Sequence, residues 1–453
     1  MPRRPFQPIL GLLVVAALAG CQGAGGFQPG AQWAALQRLA PAYPQTAFAV
    51  FSDPHLYDAG LGVGGTAFAA YLQKDRKLLA ESAALMDAVV NDLRDQDLDF
   101  VLVCGDLTKD GERHNHLLAA EKLQRLTAAG KKVFVVPGNH DIANAEAAGY
   151  AGAHAEPVPT VSGDEFAAIY RHCGYDAALA HDPASLSYVA EPVAGLWLLA
   201  LDTCRWRDQG QRGKPITGGA LSPATREWIE AVLRRAKLAD KAVIAMAHHG
   251  ILPHYPHNAR FYGQYLVADH AAVAAMLSAY GVELVFTGHF HAQDVTLRHF
   301  EDPPRTLYDI ETGATVTAPC PYRRVHLTGD QTARVESRFI EAIAGRETEF
   351  PAYAAEYVYQ GTIRLADAAL DGYGVTAEDR ALLAPQISRA YVTHLNGDET
   401  KPRTVLDTTG CGPWTRLVVR TQRDLIEGWY SDLPPADNRL TIPLAPGKKG
   451  SAD

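Results

Sequence analysis

The chain has 453 residues, room for two or three domains at roughly 100–200 residues each, or for one large domain with additions. Hydrophobic residues make up 47% and charged residues 21%, the ordinary balance of a globular protein with a large core. Its 42 basic and 51 acidic side chains leave a formal charge of −9. This excludes a general attraction to nucleic acid or to an anionic bilayer, while leaving room for a local positive site built from bound cations.

Arg3 and Arg4 precede an apolar run from Ile9 to Ala19 that is too short to cross a bilayer comfortably, so the N-terminus reads as a processing signal. The run ends at Leu18-Ala19-Gly20-Cys21. Small residues before a Cys resemble the lipobox of bacterial lipoproteins. That resemblance implies removal of residues 1–20, lipid on Cys21, and anchoring outside the cytoplasmic membrane. A plain signal peptide with an incidental Cys is the alternative. Residues 21–44 form a tether and N-terminal segment, Gly-rich from Gln22 to Gly30. Beyond Cys21 remain Cys104, Cys173, Cys204, Cys320 and Cys411, an odd set without close spacing. They make no disulfide framework, although one bridge stays open.

Continuous apolar runs follow at Ala47–Phe51, Phe100–Cys104, Lys132–Val136, Leu196–Leu201, Ala242–Ala247 and Val282–Thr287, as expected for strands covered on both faces. Helical patterns lie between them. They are Asp75–Arg94, Leu117–Ala129 closed by Gly130, Ser222–Ala236 opened by Ser-Pro, and Asp269–Tyr280 closed by Gly281. The alternation predicts an α/β architecture. Segment 144–182 is long and mixed, with a short helix predicted over Glu165–His172, and reads as a cap over a cleft. Strands are predicted at Leu307–Glu311, Arg323–Leu327 and Thr332–Phe339. Residues 45–345 are therefore one domain. Residues 346–453 are a mostly helical accessory region, with Leu365–Leu370, Thr376–Leu382 and Ile387–Leu395 as candidate helices and Pro434–Asp453 as a loose tail.

Polar residues gather where the predicted strands end. Asp53 and His55 follow the first run and Asp106 the second. Asn139, His140 and Asp141 follow the third, His248 and His249 the fifth, and His289 and His291 the sixth. Side chains beyond strand ends converge in α/β sheets however far apart they lie in sequence. Oxygen and imidazole donors without thiolate suit Mn, Fe, Zn or similar ions. Gly105, Gly138 and Gly288 each directly precede a candidate ligand and permit a sharp turn inward.

The ordered segments SDPH, GDLTKDG, GNHD, HH and GHFH resemble the signatures of the calcineurin-like metallophosphoesterases. GTAFAAYLQKDRKLL and SLSYVAEP resemble a bacterial branch of that family. The resemblance implies a four-layer α/β/β/α sandwich of two mixed sheets. It implies two metal ions, one on Asp53, His55 and His291, the other on Asn139, His248 and His289, with Asp106 bridging them. A hydroxide between the metals would attack a phosphate ester. His140 would protonate the leaving alkoxide or stabilise the transition state, with Asp141 orienting it. Taken singly, Asp53 and Asp106 also fit turn or helix caps, and Asn139 fits a turn. His249 would be substrate-facing or support a ligand, and His254 and His257 lie in a Pro-rich loop. His114 and His116 fit packing, while Arg205 and Arg207 could grip a phosphate. The partner is then a phosphate-ester small molecule or envelope component. A catalytically inactive binding lipoprotein is the rival reading.

Overall fold

The computed structural model describes residues 36–37, 39–212, 215–301 and 304–445, so Cys21 and the signal lie outside the described residues. In chain order the strands are β1 (Thr46–Phe51), β2 (Phe100–Val103), β3 (Lys132–Val135), β4 (Ala148–Ala151), β5 (His154–Pro157), β6 (Ala180–His181), β7 (Tyr188–Val193), β8 (Leu196–Leu201), β9 (Ala242–Ala247), β10 (Leu284–Thr287), β11 (Asp294–Glu301), β12 (Pro304–Glu311), β13 (Pro321–Thr328), β14 (Thr332–Phe339) and β15 (Arg439–Pro443). The helices are α1 (Thr66–Leu72), α2 (Ser82–Arg94), α3 (Arg113–Ala128), α4 (Gly163–Ile169), α5 (Trp206–Arg212), α6 (Pro223–Leu238), α7 (Asn258–Phe261), α8 (His270–Ala279), α9 (Phe350–Gly372), α10 (Ala377–Asn396) and α11 (Pro413–Gly428).

Two mixed sheets form, ordered β15-β14-β13-β1-β2-β3 and β11-β12-β10-β9-β8-β7-β6. β1, β2 and β3 run parallel, as do β8, β9, β10 and β12, which puts their C-terminal ends on common edges. Phe48 of β1 stacks on Phe100 of β2 at 4.4 Å and meets Phe286 of β10 edge-on at 5.4 Å, so the sheets face each other. Along β9, Ala242, Ile244 and Met246 join this inner core, while Val243, Ala245 and Ala247 pack outward on Ile229 and Leu233 of α6 and Leu277 of α8. Complete burial of each large apolar chain contributes about 1.5–3 kcal/mol, which explains why both faces of these strands are apolar. α2 and α3 cover the first sheet through Val89, Leu93, Leu123 and Leu126. The result is the expected α/β/β/α sandwich.

Three local expectations are corrected. The Asp75–Arg94 helix begins only at Ser82, because Asp75 Oδ1 accepts from the amides of Arg76 (2.6 Å) and Lys77 (3.0 Å), a local turn that competes with the helix. The three predicted C-terminal helical pieces become two long helices, α9 and α10, the second running through Pro385, and α11 is added. The tail is not loose throughout. β15 pairs antiparallel with β14 and buries Leu440 and Ile442, returning the chain to the first sheet. The described cysteines, Cys104, Cys173, Cys204, Cys320 and Cys411, are all free and buried. Among the described residues no helix is long and apolar enough to cross a membrane.

Segment 144–182 folds as the β4–β5 hairpin followed by α4. Ser162 and Glu165 form a capping box that starts α4, and Phe166 and Tyr170 pack on the buried His116 ring.

Candidate metal centre

The strand ends leave the sheets through strained turns. Asp53 (φ 50°), His55 (φ 36°), Asp106 (φ 48°), His289 (φ 78°) and His291 (φ 66°) all occupy the left-handed region. Non-glycine residues rarely do so, and such conformations cluster where a site over-determines them. Two glycines let the turns close. A Cβ on Gly138 would collide with Asp106, and one on Gly288 with Ser52 and Asp53.

The turns bring the expected ligands into two abutting groups. Asp53, His55, Asp106 and His291 can each place one donor atom within 4.8 Å of the others, and so can Asp106, His248 and His289. Asp106 Oδ2 lies 3.5 Å from both His55 Nε2 and His248 Nε2, which makes it the shared member. Its other oxygen, Oδ1, accepts from the His140 amide at 2.9 Å. Asn139 Oδ1 is 3.1 Å from His248 Nε2. His291 Nε2 is 3.3 Å from Asp53 Oδ1 and 3.2 Å from His55 Nε2.

Each donor is held by its back. His248 Nδ1 donates to the Cys104 carbonyl at 2.8 Å, leaving Nε2 to face the centre. Asp53 Oδ2 accepts from Ser52 Oγ and from the His289 amide (3.0 Å), while buried Oδ1 has no hydrogen-bond partner. Buried His289 Nε2 has none either. Such orphaned donors in a dry pocket are unfavourable unless a further group meets them, so the residues fit a pair of cations. Burial pushes the His55 and His289 imidazoles well below their ordinary pKa, toward the neutral form that ligates metal. Burial also opposes charge on His248, but the Asp106 carboxylate outweighs it and lifts that imidazole to about 9.

His140 sits at the mouth, its side chain 24% exposed and its ring edge-on to His55 at 5.0 Å. Here the structure departs from the sequence reading. Asp141 does not orient His140. Its oxygens accept from the amides of Gly138 (2.8 Å), Leu107 (3.1 Å) and Thr108 (3.0 Å) and from Thr108 Oγ1, tying the GDLT turn to the GNHD turn. Asp110 Oδ1 instead lies 2.9 Å from His140 Nδ1. Burial alone would raise the Asp110 carboxyl, but His140 and the buried Lys109 hold it down at about 2, a fixed anion. Lys109 also reaches Glu112 at 3.3 Å and lies over the Tyr71 ring at 4.4 Å.

Residues 46–293 match the sequence profile of calcineurin-like phosphoesterases. The chain belongs to this family. It is thus a metallophosphoesterase, a metal-dependent hydrolase of phosphate esters. Among solved structures, a dimetal phosphatase from Danio rerio is similar at 18% identity and TM-score 0.46, covering 66% of this chain and 97% of that one. A purple acid phosphatase from yellow lupin seeds is similar at 13% identity and TM-score 0.40, covering 67% of this chain and 53% of that one. A 5'-nucleotidase precursor from Thermus thermophilus gives 12% identity and TM-score 0.36, covering 70% of this chain and 59% of that one. A search of curated proteins finds no match.

Around the phosphoesterase centre, the remaining histidines are mostly structural. His249 bonds Thr203 Oγ1 (2.7 Å) and the Thr217 carbonyl (2.8 Å), and its ring packs on His289 at 4.5 Å. His254 is buried, not in an exposed loop, between Asp294 Oδ1 and Glu311 Oε2, both at 3.0 Å. His114 pairs with Asp58 and His116 with Tyr170, as packing roles require. Arg205 pairs with Asp208, and Arg207 stacks on Trp206.

Three contributors escaped the sequence reading. Asp110 is the second acid of the GDLTKDG segment. Lys77, 8% exposed and paired with Asp75, lies close enough to depress protonation of His55, His140 and His291. Arg76 reaches the Tyr391 hydroxyl and lies 4.6 Å over its ring. It lines an aromatic cavity with Tyr255, Tyr262, Tyr265, Tyr391 and Trp429, walled on one side by α9, α10 and the residue that caps α11. Tyr265 connects the cavity to the centre, its ring tilted on His289 at 4.4 Å.

Proposed function

We propose that the chain hydrolyses a phosphate mono- or diester at this centre, with His140 delivering the proton to the leaving alkoxide. The observation that carries this reading is Asp106, whose Oδ2 stands 3.5 Å from an imidazole of each half-site. Asp53, His55 and His291 would hold one cation, Asn139, His248 and His289 the other, and Asp106 both. Two divalent or trivalent ions such as Mn, Fe or Zn would supply Lewis acidity and acidify a water.

The protein's own part is positioning. The Asp110 carboxylate on Nδ1 leaves the opposite ring nitrogen of His140 to deliver a proton to a substrate oxygen. Asp141 fixes the two turns that carry Asp106 and His140 relative to each other. The aromatic cavity beside His289 takes the apolar part of the ester alcohol, and Arg76 at its edge draws the anionic phosphate. The N-terminal pattern supports lipidation at Cys21 and work outside the cytoplasmic membrane, on organic phosphates or envelope components.

The test is hydrolysis of p-nitrophenyl phosphate and bis(p-nitrophenyl) phosphate by protein reconstituted separately with Mn, Zn, Fe or Ca. Turnover of at least one ester with Mn, Fe or Zn is expected. Folded, metal-loaded protein that is inert toward both would install a binding module in place of the enzyme.

A further inference from the structure

The GHFH turn continues to Asp294, the first residue of β11, which faces a different group of side chains. His394, near the end of α10, and Glu399, in the loop after it, meet Asp294 there. One donor atom from each lies within 4.8 Å of the other two. The three residues are 3%, 2% and 9% exposed, respectively for Asp294, His394 and Glu399. His394 Nδ1 is 2.6 Å from Glu399 Oε1, but Glu399 Oε2 is buried without any hydrogen-bond partner. His394 Nε2 is likewise unpartnered.

Negative charge is in excess here. Asp432 and Asp437 lie close enough for Glu399 to repel their ionised forms, and Asp294 does the same to Asp437. Among the described residues no Lys or Arg makes an ion pair with Asp294, Glu399, Asp432 or Asp437; the ion-pair partners of Asp294 and Glu399 are His254 and His394. The fully buried Arg323 offsets part of the Asp437 and Asp294 charge but pairs with neither carboxylate, because its guanidinium donates to the carbonyls of Glu311, Asp437 and Asp294 and to Ser337 Oγ. Buried carboxylates that outnumber their countercharges must bind either protons or a further cation. An orphaned carboxylate oxygen facing an imidazole and a second carboxylate favours the cation.

We propose that Asp294, His394 and Glu399 hold a third divalent cation, separate from the dinuclear centre. A donor set of one imidazole and two carboxylates suits zinc or manganese better than calcium, which prefers an all-oxygen shell. Binding displaces the proton now shared by His394 Nδ1 and Glu399 Oε1. The ion joins a strand of the second sheet to the C-terminal helices and so fixes the α10 wall of the aromatic cavity, which His394 itself lines.

Metal per chain, measured by plasma mass spectrometry on full-length protein saturated with zinc and then dialysed, tests this directly. Three equivalents are expected in the wild type, two in Glu399→Gln, and one in Asp106→Ala. Zinc should raise the melting temperature of Asp106→Ala and leave that of an Asp106→Ala, Glu399→Gln double variant unchanged. Two equivalents in the wild type, or three that Glu399→Gln keeps, overturn the third site whatever the folding of other variants. One equivalent that Asp106→Ala keeps and Glu399→Gln loses would support this site and remove the dinuclear reading instead.

Discussion

The stretch from Gly288 to Asp294 serves two buried clusters that are built in opposite ways. His289 and His291 belong to a centre in which Asp53, His55, Asp106, His289 and His291 all sit in left-handed backbone. Asp294 belongs to a group in which neither it, nor His394, nor Glu399 has a positive φ. The first cluster forces strand-end turns inward at a conformational cost of order 1–3 kcal/mol per residue, which persists only where surrounding structure imposes it. The second forms where a strand and a helix end simply pack. Strain marks the place where ligands must converge and still leave room for a reactant. Its absence marks a site that need only join two parts of the fold.

That contrast can be broken most forcibly at Asp106. Asp106→Ala removes the oxygen shared by both halves, so activity should fall to background and both catalytic metals should be lost. Metal content and turnover measured on one sample check this. Retention of two metals with activity would mean the halves do not depend on a common bridge.

His140→Ala should act on chemistry alone. The ring is not among the grouped donors, so metal content should stay while kcat falls by about 10²–10⁴, the usual weight of general acid catalysis. The loss should be greatest for alcohols that leave poorly. An equal loss for p-nitrophenol and for an alkyl alcohol would point to transition-state stabilisation by His140 and away from proton delivery.

Asp110 and Asp141 should separate more quietly. Asp110→Asn weakens the anion behind His140, and an orienting partner of this kind contributes about 10–100-fold. The loss should fall on kcat, and the fall in melting temperature is limited because Glu112 still pairs with the buried Lys109. Asp141→Asn does the reverse. It disturbs bonds from three buried amides and Thr108, and should lower stability by about 1–3 kcal/mol while touching activity less per folded molecule. Thermal melts paired with kcat measurements distinguish them. Identical behaviour of the two variants would erase the distinction between orienting His140 and bracing the turns.

The legibility of the sequence follows the same contrast. Asp53, His55, Asp106, Asn139, His248, His289 and His291 could be read because each stands just past an apolar run, and three of them directly follow a glycine. The two-sheet core was legible for a related reason, since runs such as Ala242–Ala247 are apolar on both faces. Asp110 was hidden four residues beyond Asp106, where no strand ends and no glycine precedes it. Arg76 and Lys77 were absorbed into a helical pattern that the Asp75 turn interrupts. In β15, Leu440 and Ile442 alternate with polar residues, but five residues beside Pro-rich sequence resemble a tail until β14 supplies a partner. The Asp294, His394 and Glu399 cluster has no local signature at all, because packing alone joins its members.

A separate expected effect is a pH dependence confined to metal-free protein. Burial, and then the neighbouring Asp294 and Glu399 charges, lift the Asp437 carboxyl to about 9 and, with Glu399 and Asp398, the Asp432 carboxyl to about 6. Burial and Glu399 also raise Asp294 well above its usual range. An unfolded carboxyl titrates near 4, so between about pH 4 and 9 the folded state binds more protons than the unfolded one. Stability from these groups is therefore complete below about pH 4 and is lost as pH rises toward 9. Chelated protein should melt at progressively lower temperature from pH 5 to pH 8. Zinc should flatten that slope in Asp106→Ala, where the catalytic pair is gone, by replacing the protons as countercharge. A slope that zinc leaves unchanged in Asp106→Ala would mean that protons alone neutralise the cluster, and the relaxed site would then be a proton store and not a clamp.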